Sequence, residues 1–227
     1  MSMKNRHVLG EAVRHLILII LALYTLAPLL FLFVNAFKSN NEIIASPVAL
    51  PEHWTLQYIK TAMEAINFGK ALGLTFIITF FSILLLVIVS SFAAWAMVRS
   101  KTILSNIVFL CFTAAMLVPF QSLMYPLLSV FEKMGLKNVQ GLILMYGGFG
   151  LSMSVFLYHG FIKSVPASLE EAAVLDGANL FQMFFKVVFP LLKGTTVTVI
   201  VLNGMWIWND YLLPFLVIGN KTGSKTL

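Results

Sequence analysis

Apolar residues fall in five long blocks, at 16–34, 71–98, 103–130, 139–162 and 195–218, separated by charged and Gly-, Ser- or Asn-containing connectors. Each block is near or above the roughly 20 apolar residues that a helix needs to cross a bilayer. The pattern predicts an all-α, polytopic helical membrane protein, organised as one transmembrane domain over residues 1–227. The third block contains "LVPFQSLMYPLL". Pro119 and Pro126 each remove a backbone donor and free a carbonyl one turn earlier, so this helix is expected to be bent or broken. In lipid, such freed groups survive only where protein or a wet cavity satisfies them. The fourth block carries "GGFG" near its opening, which allows close backbone packing. The first block follows the basic "MKNRH" but lacks a small-residue cleavage site, so a retained span is expected, not a signal peptide.

Two connectors have structure of their own. Residues 35–70 are broken by Pro47 and Pro51, after which "TLQYIKTAMEAI" predicts a short amphipathic helix, with Trp54 and Tyr58 suited to a lipid–water boundary. Residues 163–194 hold "VPASLEEAAVLDGANLFQMFFKVVFPLL". Ser168 followed by Glu171 has the spacing of a capping box and predicts a helix over 169–176. Gly177 suits the left-handed position that ends it, and Asn179 can cap a second helix. There Phe181, Phe184, Phe185 and Val188 predict one apolar stripe, and Pro190 is expected to stop it. The first helix is acidic, with Glu170, Glu171 and Asp176 beside the small pair Ala172–Ala173. A helix lying on anionic lipid would be basic, so a protein partner fits better than a mere tether between spans.

Composition agrees. The chain of 227 residues is 59% hydrophobic and 11% charged, with a mean hydropathy of +0.93, whereas soluble domains carry about 25% charged residues. The net charge of +6 is scattered over the connectors and reads as membrane flanks, with no patch for nucleic acid. An inside N-terminus puts Lys4, Arg6, Arg14, Arg99, Lys101, Lys163, Lys186 and Lys193 on the cytoplasmic side and the other seven outside. That near balance, with "KNR" and "RSK" inside, favours a cytoplasmic N-terminus only slightly. The lone Cys111 is expected to be a small packed hydrophobe. No His, Cys and carboxylate spacing suggests a metal, no nucleophile–base set is visible, and neither a catalytic residue nor a cofactor is expected. "GNKTGSKT" at 219–226 resembles a phosphate loop, but three residues separate its glycines and Ser224 intrudes before Lys225, so ATP binding is not expected.

In the fifth block Asn203, Trp206 and Asp210 share a helix face at i, i+3 and i+7, beside Asn209. A carboxylate inside a span defaults to a functional hypothesis, and Pro214 also frees the carbonyl of Asp210. Two readings stand, a lining of a solute path with Trp206 as a stacking surface, or a polar clamp near the outer boundary. Gln121 and Tyr125 in the broken third block are further candidates for the path. His159 is expected near the cytoplasmic membrane boundary.

"EAAVLDGANLFQMFFKVVFP" resembles the EAA loop of ABC importer permeases, carried by Glu171, Ala172, Ala173, Gly177, Val187 and Pro190, with Phe189 departing from the usual Leu. "FKSNNEIIASPVALPEHWTLQYIK", "FAAWAMVRSK", "MLVPFQSLMYPLL", "KMGLKNVQGLILMY" and "WNDYLLP" resemble successive landmarks of carbohydrate importer permeases of the maltose-permease type. An Asn-Ser/Thr pair that often opens the second span reads Leu74-Thr75 here. The resemblance implies a multi-pass subunit of a bacterial or archaeal plasma membrane, without catalysis of its own. It would pair with a second, similar permease. A cytoplasmic ATPase would grip Glu170, Glu171, Ala172, Ala173, Asp176 and Gly177, and an external binding protein would deliver a sugar or oligosaccharide. Six spans are usual in the family, and five are visible before the chain stops at "GSKTL", within the connector that would precede the last. A permease for another polar solute, such as a sugar phosphate, is the alternative within the class. An ion-driven secondary transporter would call for paired intramembrane charges and an inverted repeat. Only one span carboxylate and no repeat are found.

Overall fold

The structure, a computed structural model, describes residues 3–219, so most of the phosphate-loop-like stretch lies outside the described residues. All regular elements among these residues are helical. They form two compact units, Met1–Asn67 and Phe68–Leu227.

The first unit holds α1 (Met3–Asn35), α2 (Asn40–Ala45) and α3 (Gln57–Ala65). Its Gly10–Asn35 stretch has the length and apolarity of a span and continues through Pro28. Leu16, Leu21, Leu29 and Leu32 stand exposed along it, a surface that lipid can solvate. Ser39 caps α2 in a capping box with Glu42. The Asn35 amide donates to the carbonyl of Pro47 at 3.0 Å, and the buried Lys38 ammonium donates to that of Ser46 at 3.1 Å. These two bonds fold the connector back, and Trp54 lies against Phe37 with ring centroids 5.1 Å apart. The expected amphipathic helix is α3.

The second unit holds α4 (Phe68–Ser100), α5 (Ile103–Ala115), α6 (Phe120–Lys133), α7 (Val139–Ile162), α8 (Ser168–Leu175), α9 (Leu180–Leu191), α10 (Lys193–Asn209) and α11 (Leu212–Ile218). Between apolar helices in lipid the hydrophobic effect gives little drive, so association depends on close packing and hydrogen bonds. The central pair α4 and α7 shows how. Ser90 and Ser91 turn their hydroxyls onto the carbonyls of Leu86 and Val87 of their own helix, so these two small side chains are satisfied without a partner across the thin seam. Gly147 and Gly150 face it: a Cβ on Gly147 would lie 2.6 Å from Leu85, and one on Gly150 would lie 2.6 Å from the Asn203 amide oxygen and 2.7 Å from Leu86. The glycines of the fourth block thus provide the close approach expected of them.

The predicted break of the third block is present. Ile103–Ala115 and Phe120–Lys133 meet at 107°, with the chain leaving the helix before Pro119, whose backbone is extended. Pro126 stays inside α6. A second sharp bend, 77°, separates α9 from α10. Among the described residues, three helices are long and apolar enough to cross a membrane, or up to five if each bent pair is one span. Cys111 is corrected: it is exposed on α5, turned outward where no other helix of the unit packs.

Candidate functional site

The loop between α7 and α10 is a helix, a turn and a second helix. Pro166 and Ala167 already have helical hydrogen bonding, with Glu170 and Glu171 N–H both donating to the Ala167 carbonyl. Ser168 is therefore the first residue of α8, and its side chain makes no cap. The predicted capping box fails because an N-cap needs extended backbone, while the turn begun at Pro166 winds the chain a residue earlier. The other end behaves as expected. Gly177 has φ +80°, Gly177 N–H donates to Val174 and Ala178 N–H to Ala173, the paired bonds of a Schellman ending. Asn179 caps α9, and Gln182 completes a reciprocal box with it.

Inside α9, Phe184–Val188 forms a π turn. The wide turn shifts the register, so the predicted four-residue stripe divides. Phe184 and Val188 are fully buried, while Phe181 and Phe185 are 64% and 47% exposed. Pro190 does not stop the helix either. It sits in a last α turn, Phe189–Leu191, and the chain bends at Leu192.

The six loop residues singled out from sequence face two ways. Glu171, Ala172, Asp176 and Gly177 are exposed, as are Val174 (57%) and Leu175 (88%) beside them. Glu170 and Ala173 are turned inward at 8% exposure each. Glu170 is bound within the chain. One carboxylate oxygen accepts from Arg99 Nε at 2.8 Å and lies 2.7 Å from the second Arg99 nitrogen. The other oxygen accepts from Trp95 Nε1 at 3.1 Å. Arg99 also donates to the Val165 carbonyl at 3.0 Å, just past the end of α7. Neither Trp95 nor Arg99 stands out as a site residue in the sequence, where Arg99 counts only among the cytoplasmic charges. Their only local signal is the i, i+4 spacing of an aromatic and a cation in the last turns of a span.

The candidate path residues are dispersed. Asn203 and Trp206 line a cavity of about 570 Å³ between the α5–α6 break, α7 and α10, with Met116, Phe120, Phe149 and Ser152 among its walls. Its size lies in the range of roughly 300–1,000 Å³ typical of small-molecule sites. Asn203 is buried and donates to Ser154 at 3.1 Å and to the Val199 carbonyl at 2.9 Å. Asp210 is not on the helix face that sequence spacing gave it, since α10 ends at Asn209 and Asp210 is extended. It accepts instead from the Tyr146 hydroxyl at 2.9 Å and from Leu212 N–H at 3.0 Å. Tyr146 also meets Trp206 edge-on, with centroids 5.5 Å apart, and so links Asp210 to the cavity wall. Asn209 lines a separate groove between α4 and α10. Gln121 and Tyr125 are exposed on α6 and are not among the cavity walls. His159 is buried at 5% exposure and stacks on Phe109 at 3.6 Å, so it packs between helices and does not face water. No group of three or more His, Cys, Asp or Glu among the described residues could hold a metal ion.

The chain is 47% identical over 209 residues to the probable starch degradation products transport system permease protein AmyC of Thermoanaerobacterium thermosulfurigenes, covering 92% of this chain and 76% of that protein. It is 32% identical to the multiple sugar-binding transport system permease protein MsmG of Streptococcus mutans, covering 99% and 82%. Its fold matches a chain of a bacterial ABC transporter involved in the import of the acidic polysaccharide alginate, with a TM-score of 0.81 at 23% identity, over 99% of this chain and 78% of that one. Residues 86–227 match the binding-protein-dependent transport system inner membrane component, a region that includes the loop, the cavity and the clamp on Glu170. The chain belongs to this family of membrane permease subunits of ABC importers.

Proposed function

We propose that this permease carries a neutral sugar or oligosaccharide, working with a second permease, a cytoplasmic ATPase and a binding protein. The observation that carries the reading is the α8–Gly177–α9 loop. Its one face is locked to the chain through Glu170, while Val174 and Leu175 stand exposed between the acids Glu171 and Asp176. An apolar ridge flanked by carboxylates, on a helix that is already rigid, suits a basic-rimmed groove on a protein partner. That partner is the ATPase, and the loop is then cytoplasmic. With four spans before it, the N-terminus is cytoplasmic too.

The neutral character of the solute rests on the cavity. Among the described residues no Lys or Arg walls it, so a phosphate group would find no counter-charge from them. Trp206, Phe120 and Phe149 offer apolar ring surface to the C–H faces of a sugar, and Asn203 and Ser152 offer polar atoms to its hydroxyls. The names of the relatives point to sugars as well. Movement of the ATPase shifts the spans between inward-open and outward-open populations, provided its contacts with the loop differ in the two states.

The test is uptake of radiolabelled maltotriose by cells carrying the whole importer. Gly177→Pro forces φ to about −65° where the chain needs +80°, and it is expected to abolish uptake with the protein still in the membrane. Uptake at the parental rate sinks the proposed role of the loop.

A further inference from the structure

The loop is joined to the membrane helices at a place that its position in the chain does not suggest. Its covalent neighbours are α7 and α10. Its side-chain bonds go to α4, through Arg99 and Trp95, 71 and 75 residues away from Glu170. Both halves of the loop converge there. From α8 comes the Glu170 carboxylate. From α9 comes the fully buried Phe184, whose ring meets Trp95 at 5.2 Å and Phe92 at 4.9 Å. Arg99 adds the Val165 carbonyl at the exit of α7. Trp95 is shared by both, its N–H on α8's acid and its ring on α9's phenylalanine.

We infer that Trp95, Arg99 and Glu170 are the positioning residues through which movement of the loop enters the membrane part, and that α4 is the helix that receives it. The inference rests on the loop being gripped by an ATPase, as proposed above. Two guanidinium nitrogens on one carboxylate oxygen hold it at a fixed distance, and the indole N–H on the other oxygen removes the freedom to pivot about it. The helix α4 is continuous from Phe68 to Ser100, so a push at Arg99 is not absorbed by a kink. About 13 Å up the helix from Trp95, at the ordinary rise per residue, Leu86 lies against the backbone of Gly150, and Gly150 against the amide of Asn203. Gly150 and Asn203 both line the cavity. A displacement of α4 therefore reaches the cavity wall through two close contacts, neither of which leaves room for a methyl group.

The experiment uses the whole importer in proteoliposomes, measuring ATP hydrolysis and uptake of radiolabelled maltotriose in the same vesicles, with assembly followed by co-purification of the ATPase. Arg99→Gln is expected to keep hydrolysis within about twofold of the parental rate, while maltotriose moved per ATP falls at least about fivefold; Arg99→Lys recovers at least half of the loss. A parental ratio in an assembled Arg99→Gln importer overturns the joint and leaves the importer reading standing. Should Arg99→Gln fail to assemble, Trp95→Phe decides, because it keeps the ring on Phe184 and removes one hydrogen bond. A lowered ratio then supports the joint, and an unchanged one overturns it. If the parental chain brings down no ATPase, the importer reading and the joint fall together.

Discussion

Glu170 and Asp210 are two acids held against the chain's own helices, and they are held differently. Glu170 meets a guanidinium, which contributes two nitrogens, and an indole N–H. Asp210 meets a phenol hydroxyl and a backbone N–H at the start of α11, and no cation among the described residues forms an ion pair with it. The first arrangement suits a contact that must carry force, since opposed charges resist being drawn apart and donors on both oxygens resist turning. The second suits a hinge in a span: Asp210 sits where α10 stops and α11 starts, and neutral donors let the carboxylate cap the break without pinning it.

The largest expected effect breaks the first arrangement. Arg99→Met leaves a carboxylate buried without its cation, and such losses cost about 3–5 kcal/mol. The unfolding midpoint in mild detergent should fall accordingly, and the double variant Arg99→Met with Glu170→Met should recover most of the loss. Next comes Tyr146→Phe, which removes a hydrogen bond to a charged group and should cost about 1.5–3 kcal/mol. If it costs as much as Arg99→Met by the same measurement, the contrast between clamp and hinge is wrong. Gly150→Ala forces a methyl against Leu86 and Asn203 and should cost about 1–3 kcal/mol, read in detergent unfolding, with a change in maltotriose KM. Asn179→Ala removes the cap of α9 and should cost about 1 kcal/mol, seen as faster amide exchange at Phe181 to Met183.

The smallest effect lies in the first unit. Ser39 N–H, 2.7 Å from the Glu42 carboxylate, is the main reason that Glu42 is held below its ordinary value of 4.5. A depressed acid stabilises the folded form above its unfolded value, and that contribution is lost as pH falls through the lower folded value. Amide protection in α2 should thus be steady at neutral pH and decline under acid conditions below about 4.5, with no such decline in Glu42→Gln.

The features legible in sequence are those whose physics is local. The break before Pro119, the left-handed Gly177 and the Asn179 cap each depend on one residue and the backbone it sits on. The fold class was legible for a similar reason, because runs of apolar residues of span length have few alternatives in lipid. Ser168 misled because the competing signal, the turn begun at Pro166, lay two residues upstream. The face shared by Asn203, Trp206 and Asp210 assumed an unbroken helix, and the break at Asp210 removed it. The Arg99–Glu170 clamp joins residues 71 apart, and no spacing rule reaches that far. Glu170 therefore looked like one more acid of the docking face, when its neighbour Glu171 is the one left free to face outward.

The π turn at Phe184–Val188 makes α9 a spacer with a spare residue. An α-helix of the same rise would need one fewer, and a one-residue deletion there would tighten the turn into ordinary α geometry. Everything after it would rotate by about 100°, the angle of a single helical step. The direction in which the chain enters the 77° bend before α10 thus depends on a count of residues in a loop helix, and the contacts of Asn203 and Trp206 with α7 have to agree with that count. Permeases that differ by one residue at this point would be expected to show their cavities different faces of an otherwise identical helix.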